Sequence, residues 1–327
     1  MSGPWAIGVD IGGTNLVAGT VPVAGGLPAA VRRTPTRPDR GGDSAVADVA
    51  SIVESVIEET LENEGGSRDD IVGIGVGCPG PLNLDDGTIL NPPNLDWSGY
   101  PIRDRIAEAT GFDVTLDNDA NCATYGEWWV GAGRGARSLV CITLGTGVGG
   151  GFIEDGRLMR GSTGNALEVG CTTIDVAGRP SRCGNKGCLE AYASGPSIAA
   201  RAVEGIDAGA DSVLPDLVHG DLEAITAATV SRALGAGDDF AAGVVEDTAR
   251  FLGAGIANLV NLFNPERIVL VGGVTAVGDP LFVPLRAEVR RRAFDRAVDA
   301  CSIVPGALPQ TAGVIGAAGV FMSERER

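Results

Sequence analysis

Residues Trp5 to Val21 read WAIGVDIGGTNLVAGTV: an apolar run ending in an aspartate, a turn through two glycines, and a second run rich in β formers. Such a pattern folds as a strand, a turn and a returning strand. Gly12 and Gly13 let the turn reach positive φ and clear it of side chains, so that consecutive backbone amides converge on an anion, while Thr14 and Asn15 add polar groups. The expected guest is phosphate. The same plan recurs at Ser138 to Ile153, SLVCITLGTGVGGGFI, with Thr146 and Gly147 in the turn. No amphipathic helix follows the glycines in either stretch, whereas a dinucleotide-binding GxGxxG loop or a Walker loop opens one. Either stretch alone reads equally well as an ordinary hairpin; the pair points to two related domains.

The chain has 327 residues, a formal net charge of −17 and a pI near 4.4. That length allows two domains with sizeable cores, and that charge argues against nucleic acid as a partner, because phosphates would be repelled. Lys186 is the only lysine, and the acids include many aspartates. This balance is expected of a halophile's protein, kept soluble by hydrated carboxylates; a GC-rich genome also favours arginine over lysine. No leading segment has the basic start, apolar centre and small-residue cleavage site of a signal peptide, and no stretch is long and apolar enough to span a bilayer. A cytoplasmic protein without a membrane partner is expected. Seven cysteines, odd in number and with one tight cluster, fit reduced thiols or a metal site rather than a disulfide framework.

Strands and helices are interleaved along the chain. Ile7 to Asp10 and Leu16 to Val21 form a hairpin, Ala45 to Glu62 an amphipathic helix and Ile71 to Val76 a buried strand. The turn-rich segment Cys78 to Trp97 is long and without periodicity, a property more common in functional loops than in plain connections. A helix is expected over Pro101 to Thr110 and a strand over Val114 to Leu116, running into Asp117, Asn118 and Asp119 before a helix that continues through Trp129. By position alone, Asn118 or Asp119 caps that helix. Ala241 to Phe263 is a long helix stopped by Pro265, and Arg267 to Val271 is a strand delivering Gly272 and Gly273.

Four segments together, DIGGTN at Asp10 to Asn15, LDNDANCATYGE at Leu116 to Glu127, LGTGVGGG at Leu144 to Gly151 and CGNKGCLEAYASG at Cys183 to Gly195, make the chain resemble the ROK family of sugar kinases, and within it the glucokinases. The resemblance extends to GVIGAAG at Gly313 to Gly319. It implies a two-domain, actin-like (ribonuclease-H-like) α/β ATPase fold with an interdomain cleft. Residues 1–118 and 313–327 would form the N-terminal domain, with the last helix packing back on it, and 119–312 the C-terminal domain. It further implies ATP-dependent phosphorylation of glucose and a homo-oligomer, dimer or tetramer.

The site residues follow from the same resemblance. Asp119 is the expected base, since a sugar hydroxyl is a poor nucleophile and needs a carboxylate to accept its proton. Backbone near Pro79 and Gly80 approaches the sugar, which Asn118, Glu168 and Glu190 orient, ionised carboxylates being strong acceptors for hydroxyls. Gly12, Gly13, Thr14, Asn15, Thr146 and Gly147 hold phosphates, Gly272 and Gly273 lie against adenosine, and Asp10 is the carboxylate nearest Mg²⁺. In GSTGNALEVGC, Gly161 to Cys171, the family's glycine before the glutamate is replaced by Leu167, and its histidine by Cys171. That histidine normally joins three cysteines on a structural zinc; here Cys171, Cys183 and Cys188 remain, with Ser181 where the first cysteine is expected. Either a weaker Zn²⁺ site results, or the thiols pack as small apolar residues. Because a thiol lacks the second nitrogen of imidazole, the choice of hexose is open, with fructose, mannose and N-acetylmannosamine as alternatives to glucose. The family also contains sugar-responsive repressors, but their DNA-binding module precedes the first hairpin, which here begins almost at Met1. His219, the sole histidine, matches no motif and is expected to be structural or exposed.

Overall fold

The computed structural model describes residues 3–90 and 97–325. Residues 91–96 of the turn-rich segment expected near the sugar lie outside them. The chain divides into two compact units, one of residues 1–141, 151–167 and 306–327, the other of 142–150 and 168–305.

In chain order the first unit begins with β1 (Trp5–Ile11), β2 (Asn15–Pro22), β3 (Ala30–Pro35), α1 (Gly42–Glu64), β4 (Ile71–Cys78) and a small hairpin of β5 (Leu82–Asn83) and β6 (Thr88–Ile89). It continues with α2 (Ile102–Thr110), β7 (Val114–Asn118) and α3 (Asp119–Trp129). Its sheet has the order β3-β2-β1-β4-β7, antiparallel across the first three strands and parallel from β1 to β7. Alternation along β1 decides what each face meets. Ile7, Val9 and Ile11 join the cluster that also contains Val49, Val53, Val56 and Ile57 of α1, spaced as one helical face.

The opposite face is lined by small residues and takes the last helix of the chain. A Cβ at Gly8 would lie 1.8 Å from the carbonyl oxygen of Val314, and one at Gly75 of β4 would lie 1.8 Å from that of Ala317. Bare backbone therefore brings this helix down onto the strands.

Strands β8 (Ser138–Leu144) and β9 (Val148–Glu154) pass through both units, and β10 (Arg157–Leu158) follows. The second unit then holds α4 (Glu190–Ala193), α5 (Gly195–Asp207), α6 (Leu214–Leu217), α7 (Ala227–Gly235), α8 (Asp239–Phe263), β11 (Arg267–Val271), α9 (Asp279–Arg292), α10 (Asp295–Ala300) and β12 (Ser302–Pro305). The last helix, α11 (Ala312–Arg325), belongs to the first unit. The second sheet, β10-β9-β8-β11-β12, repeats the plan of the first: an antiparallel strand at one edge, a parallel pair at the other. In α8, Val245, Ala249, Leu252, Ile256 and Leu259 form the buried stripe. Among the described residues no helix is long and apolar enough to cross a membrane.

The division expected after Asn118 differs from that of the structure, in which α3 belongs to the first unit. The cause is another close crossing. Cβ atoms at Gly126 and Gly316 would lie 2.2 Å and 1.6 Å from the carbonyl oxygens of Ala312 and Cys122, so α3 and α11 touch through backbone. Tyr125 of α3 and Val320 of α11 bury Ile153 and Leu158 between them, which carries part of β9 and β10 into the same unit.

Candidate active site

In the first unit Gly80, Asn118 and Asp119, expected on the sugar side, gather where two parallel strands end together. Cys78 pairs with Asn118 across β4 and β7, so the chain leaving β4 reaches Gly80 beside the Asn118 side chain. A Cβ at Gly80 would be 3.5 Å from Asn118 Nδ2 and 3.9 Å from Asn165 Oδ1. Asn118 Oδ1 accepts hydrogen bonds from the backbone N–H groups of Ala120 (2.9 Å) and Asn121 (3.2 Å). Capping thus fixes the amide and turns its donor end toward Gly80. The two readings of Asn118, helix cap and ligand donor, use opposite ends of one group. Asn165, which faces the same space, lies in the GSTGNALEVGC segment, where only Glu168 and Cys171 stood out by residue type.

Asp119 opens α3, with Oδ1 accepting from Ala120 N–H at 2.8 Å. Burial raises its pKa above the usual carboxylate range, opposed by the Ala120 amide and the Asn118 side chain. Asp10, at the end of β1, is pushed up to about 7 by burial and by the like charge of Asp119, with Arg33 pulling the other way. Two recessed carboxylates therefore influence one another. Mg²⁺ takes only one or two carboxylates and keeps several waters; Asp10, whose ionised form a cation would relieve, fits that demand.

The first glycine turn corrects one expectation. Neither Gly12 nor Gly13 takes positive φ, and the Gly12 N–H is used within the turn, donating to Asn15 O at 2.8 Å. Glycine is favoured at 12 by closeness instead, since a Cβ there would lie 3.1 Å from Asn15 O. Thr36, just beyond β3, pins the turn: its N–H donates to Thr14 O (2.9 Å) and its hydroxyl to Gly12 O (2.7 Å). Gly13, Thr14 and Asn15 are exposed.

In the second unit the turn between β8 and β9 closes through Gly145 N–H to Gly147 O at 3.0 Å. Glu190, at the start of α4, accepts from Val148 N–H through Oε2 at 3.1 Å, and a Cβ at Gly147 would sit 2.7 Å from that oxygen. One oxygen of Glu190 is thus engaged by the turn that carries the exposed Thr146. Gly272, at φ 105, packs on the end of β8, where a Cβ would be 2.3 Å from Leu144 O. Gly273 borders a cavity of about 160 Å³, lined by Ile198, Ala228, Val230, Arg232 and Val274 among others. Its α7 wall has no sequence signature beyond ordinary helix periodicity.

Glu168 is exposed, at the entry to a short 3-10 turn over Val169–Cys171. Leu167, where the family pattern has glycine, adopts φ 64, a conformation uncommon for a branched side chain. Cys183 Sγ lies 3.4 Å from Cys188 Sγ and 3.5 Å from Ser181 Oγ. Hydrogen bonding from Ser181 and from the Asn185 backbone lowers the Cys183 thiol to about 7, whereas burial raises that of Cys171 to about 12. A structural zinc takes four nitrogen or sulfur donors. Here a serine hydroxyl stands for one of them, and among the described residues no group of three or more His, Cys, Asp or Glu is placed to hold a metal ion. The donor set does not fit a closed zinc site. His219 is exposed, at φ 53 in a turn.

The chain matches the ROK family model over residues 6–324. It is 39% identical over 317 residues to a glucokinase of Halalkalibacterium halodurans, covering 97% of this chain and 94% of that one. In structure it is similar to a ROK family glucokinase from Streptomyces griseus in complex with glucose and AMPPNP (TM-score 0.84, 33% identity, 97% and 98% of the two chains). It is also similar to a ROK hexokinase from Thermus thermophilus (TM-score 0.81, 31% identity, 99% and 100%). The family match and these similarities span nearly the whole chain and both sheets: the chain belongs to the ROK family.

Proposed function

We propose that the chain is an ATP-dependent hexokinase that transfers the γ-phosphoryl group to the primary hydroxyl of glucose. The observation that carries the reading is the turn from β7 into α3: a recessed Asp119 with one oxygen held by Ala120 N–H, next to an Asn118 amide whose oxygen is engaged in capping. A carboxylate so placed accepts the hydroxyl proton as the phosphoryl group leaves ATP. Asn118 donates to a sugar hydroxyl, and Glu168 and Glu190 accept from others. Gly13 to Asn15 in the first unit and Thr146 to Gly147 in the second bind phosphate oxygens, Gly12 serving to shape its turn. The apolar cavity beside Gly273 has the character of an adenine slot. Asp10 is the residue that would hold Mg²⁺, which would neutralise phosphate charge when bound with ATP. Near-full-length similarity to glucokinases supports glucose as acceptor.

Steady-state assay of the purified chain with ATP and a hexose panel tests this. Glucose-dependent ADP release with phosphate on the primary hydroxyl is expected; glucose binding without ADP release would sink the reading. Cys171, a thiol at the family's histidine position, favours a second possibility, that another hexose is preferred, and the same panel ranks mannose, fructose and N-acetylmannosamine against glucose.

Gly147→Ala probes the second unit. Its methyl group would push Glu190 Oε2 from Val148 N–H, a hydrogen bond worth about 0.5–1.5 kcal/mol, so KM for glucose should rise roughly two- to tenfold. An unchanged KM for glucose would remove Glu190 from the sugar's partners.

A further inference from the structure

Behind the turn that presents Asp119 lies a buried ion pair that no motif singled out. Asp117, the penultimate residue of β7, is fully buried. Its Oδ1 accepts from the backbone N–H of Asn118 (2.8 Å) and from Asn121 Nδ2 (2.8 Å). Those two donors bracket Asp119 in the chain, one on the strand end before it and one in the first turn of the helix after it. Its other oxygen, Oδ2, accepts from Arg160 Nε at 2.6 Å. Arg160 is itself held from two further directions. Its Nη2 donates to Glu324 Oε1 of α11 at 2.9 Å, and its carbonyl oxygen accepts from Ala166 N–H at 3.1 Å. That last bond closes the loop bearing Asn165, which faces Gly80.

We propose that Arg160 is a positioning residue for phosphoryl transfer: through Asp117 it fixes the turn that aims Asn118 and Asp119, and through its own backbone it joins that turn to the loop facing Gly80. The proposal rests on the reading of Asp119 as base. A buried carboxylate that loses its cation is left uncompensated and relaxes toward water or a new donor. Here such relaxation pulls on both ends of the bracket at once. Small displacements of a reacting group are enough to cost large factors in rate. Neither the phosphate-binding turn assigned to the first unit nor the nucleotide-binding residues assigned to the second hydrogen-bond into this network, so the effect falls on the acceptor: turnover and glucose affinity change, ATP affinity does not.

The test compares Arg160→Gln, Arg160→Lys and Asp119→Asn in the full chain. It measures kcat, KM for glucose and KM for ATP, with active sites counted by glucose-binding stoichiometry in calorimetry. For Arg160→Gln, kcat per site is expected to fall about 10- to 100-fold, with a raised KM for glucose and a KM for ATP within twofold of the parent. Arg160→Lys keeps the charge but cannot reach Asp117 and Glu324 together; its kcat should lie between those of the parent and of Arg160→Gln. Should the Gln variant fail to fold, the Lys variant decides: a severalfold lower kcat with unchanged KM for ATP supports the proposal, and parental kinetics overturn it. A folded Gln variant with parental kcat per site, or one in which KM for ATP rises as much as KM for glucose, also overturns it. Retained activity in Asp119→Asn overturns both this proposal and the base assignment, whereas an inactive Asp119→Asn beside an unaffected Arg160→Gln overturns the positioning role alone.

Discussion

Asp119→Asn is expected to slow glucose phosphorylation by about 10²- to 10⁴-fold, the range that a positioned general base supplies, while leaving glucose binding and folding close to those of the parent. The substitution separates chemistry from architecture because of how the side chain is used. The bond that Asp119 makes to the helix is an acceptance, from Ala120 N–H through Oδ1, and an asparagine oxygen accepts the same bond. The neighbouring cap is supplied by Asn118 and is untouched. Asparagine cannot take up the proton that the hydroxyl must lose. Single-turnover kinetics with calorimetric glucose titration read the two properties apart. Near-parental turnover would move the base elsewhere and with it the mechanism; loss of glucose binding together with turnover would make Asp119 a ligand first.

Gly75→Ala carries the largest expected cost to folding. A methyl group there would meet the carbonyl oxygen of Ala317 at 1.8 Å and its carbon at 2.4 Å, far inside contact distance. Neither partner is the free end of a side chain: β4 is paired on both edges, with β1 and β7, and α11 is packed along its length. Relief therefore requires the helix to rise from the sheet, and a loss of at least ~3 kcal/mol is expected, a shift of roughly 6–12 °C in the melting of a unit this size. Gly243→Ala is the matched control. It sits in α8 with no atom within 4 Å of the added methyl, so it should be neutral or gain up to about 0.5–1 kcal/mol from the lower entropy of the unfolded chain. If both variants melted with the parent, the close approach of α11 would not be a determinant of stability.

How far the sequence discloses this molecule depends on the range of the interaction that carries each feature. The two glycine hairpins were legible because strand, turn and strand are contiguous and the pattern of apolar residues is local. The β7 to α3 turn was legible for the same reason. What the turn does with its residues was not: that Asn118 caps with the oxygen of its amide and leaves the nitrogen facing Gly80 follows only from tertiary placement. The function of Gly12 was misjudged on the same grounds. Glycine signals that something is unusual, and only the fold distinguishes a backbone angle from a neighbour that leaves no room. Arg160 and Asp117 stand 43 residues apart, and no periodicity joins them. Asn165 and the α7 side of the cavity beside Gly273 are similarly products of tertiary placement. The replacement of histidine by Cys171 and of cysteine by Ser181 could be read at once, because there the signal was a departure from a pattern.

The glycine-lined face of the first sheet has a consequence for synthesis. Its covering helix is α11, made after every strand it covers, so while the chain is being translated Gly8 and Gly75 lie on an open surface whose partner does not yet exist. The first unit cannot complete its fold in the order in which it is made. Its early strands lack that cover until the ribosome has finished the second unit, and a chain stopped before Ala312 would leave the glycine-lined face open and prone to seek the same helix in a neighbour.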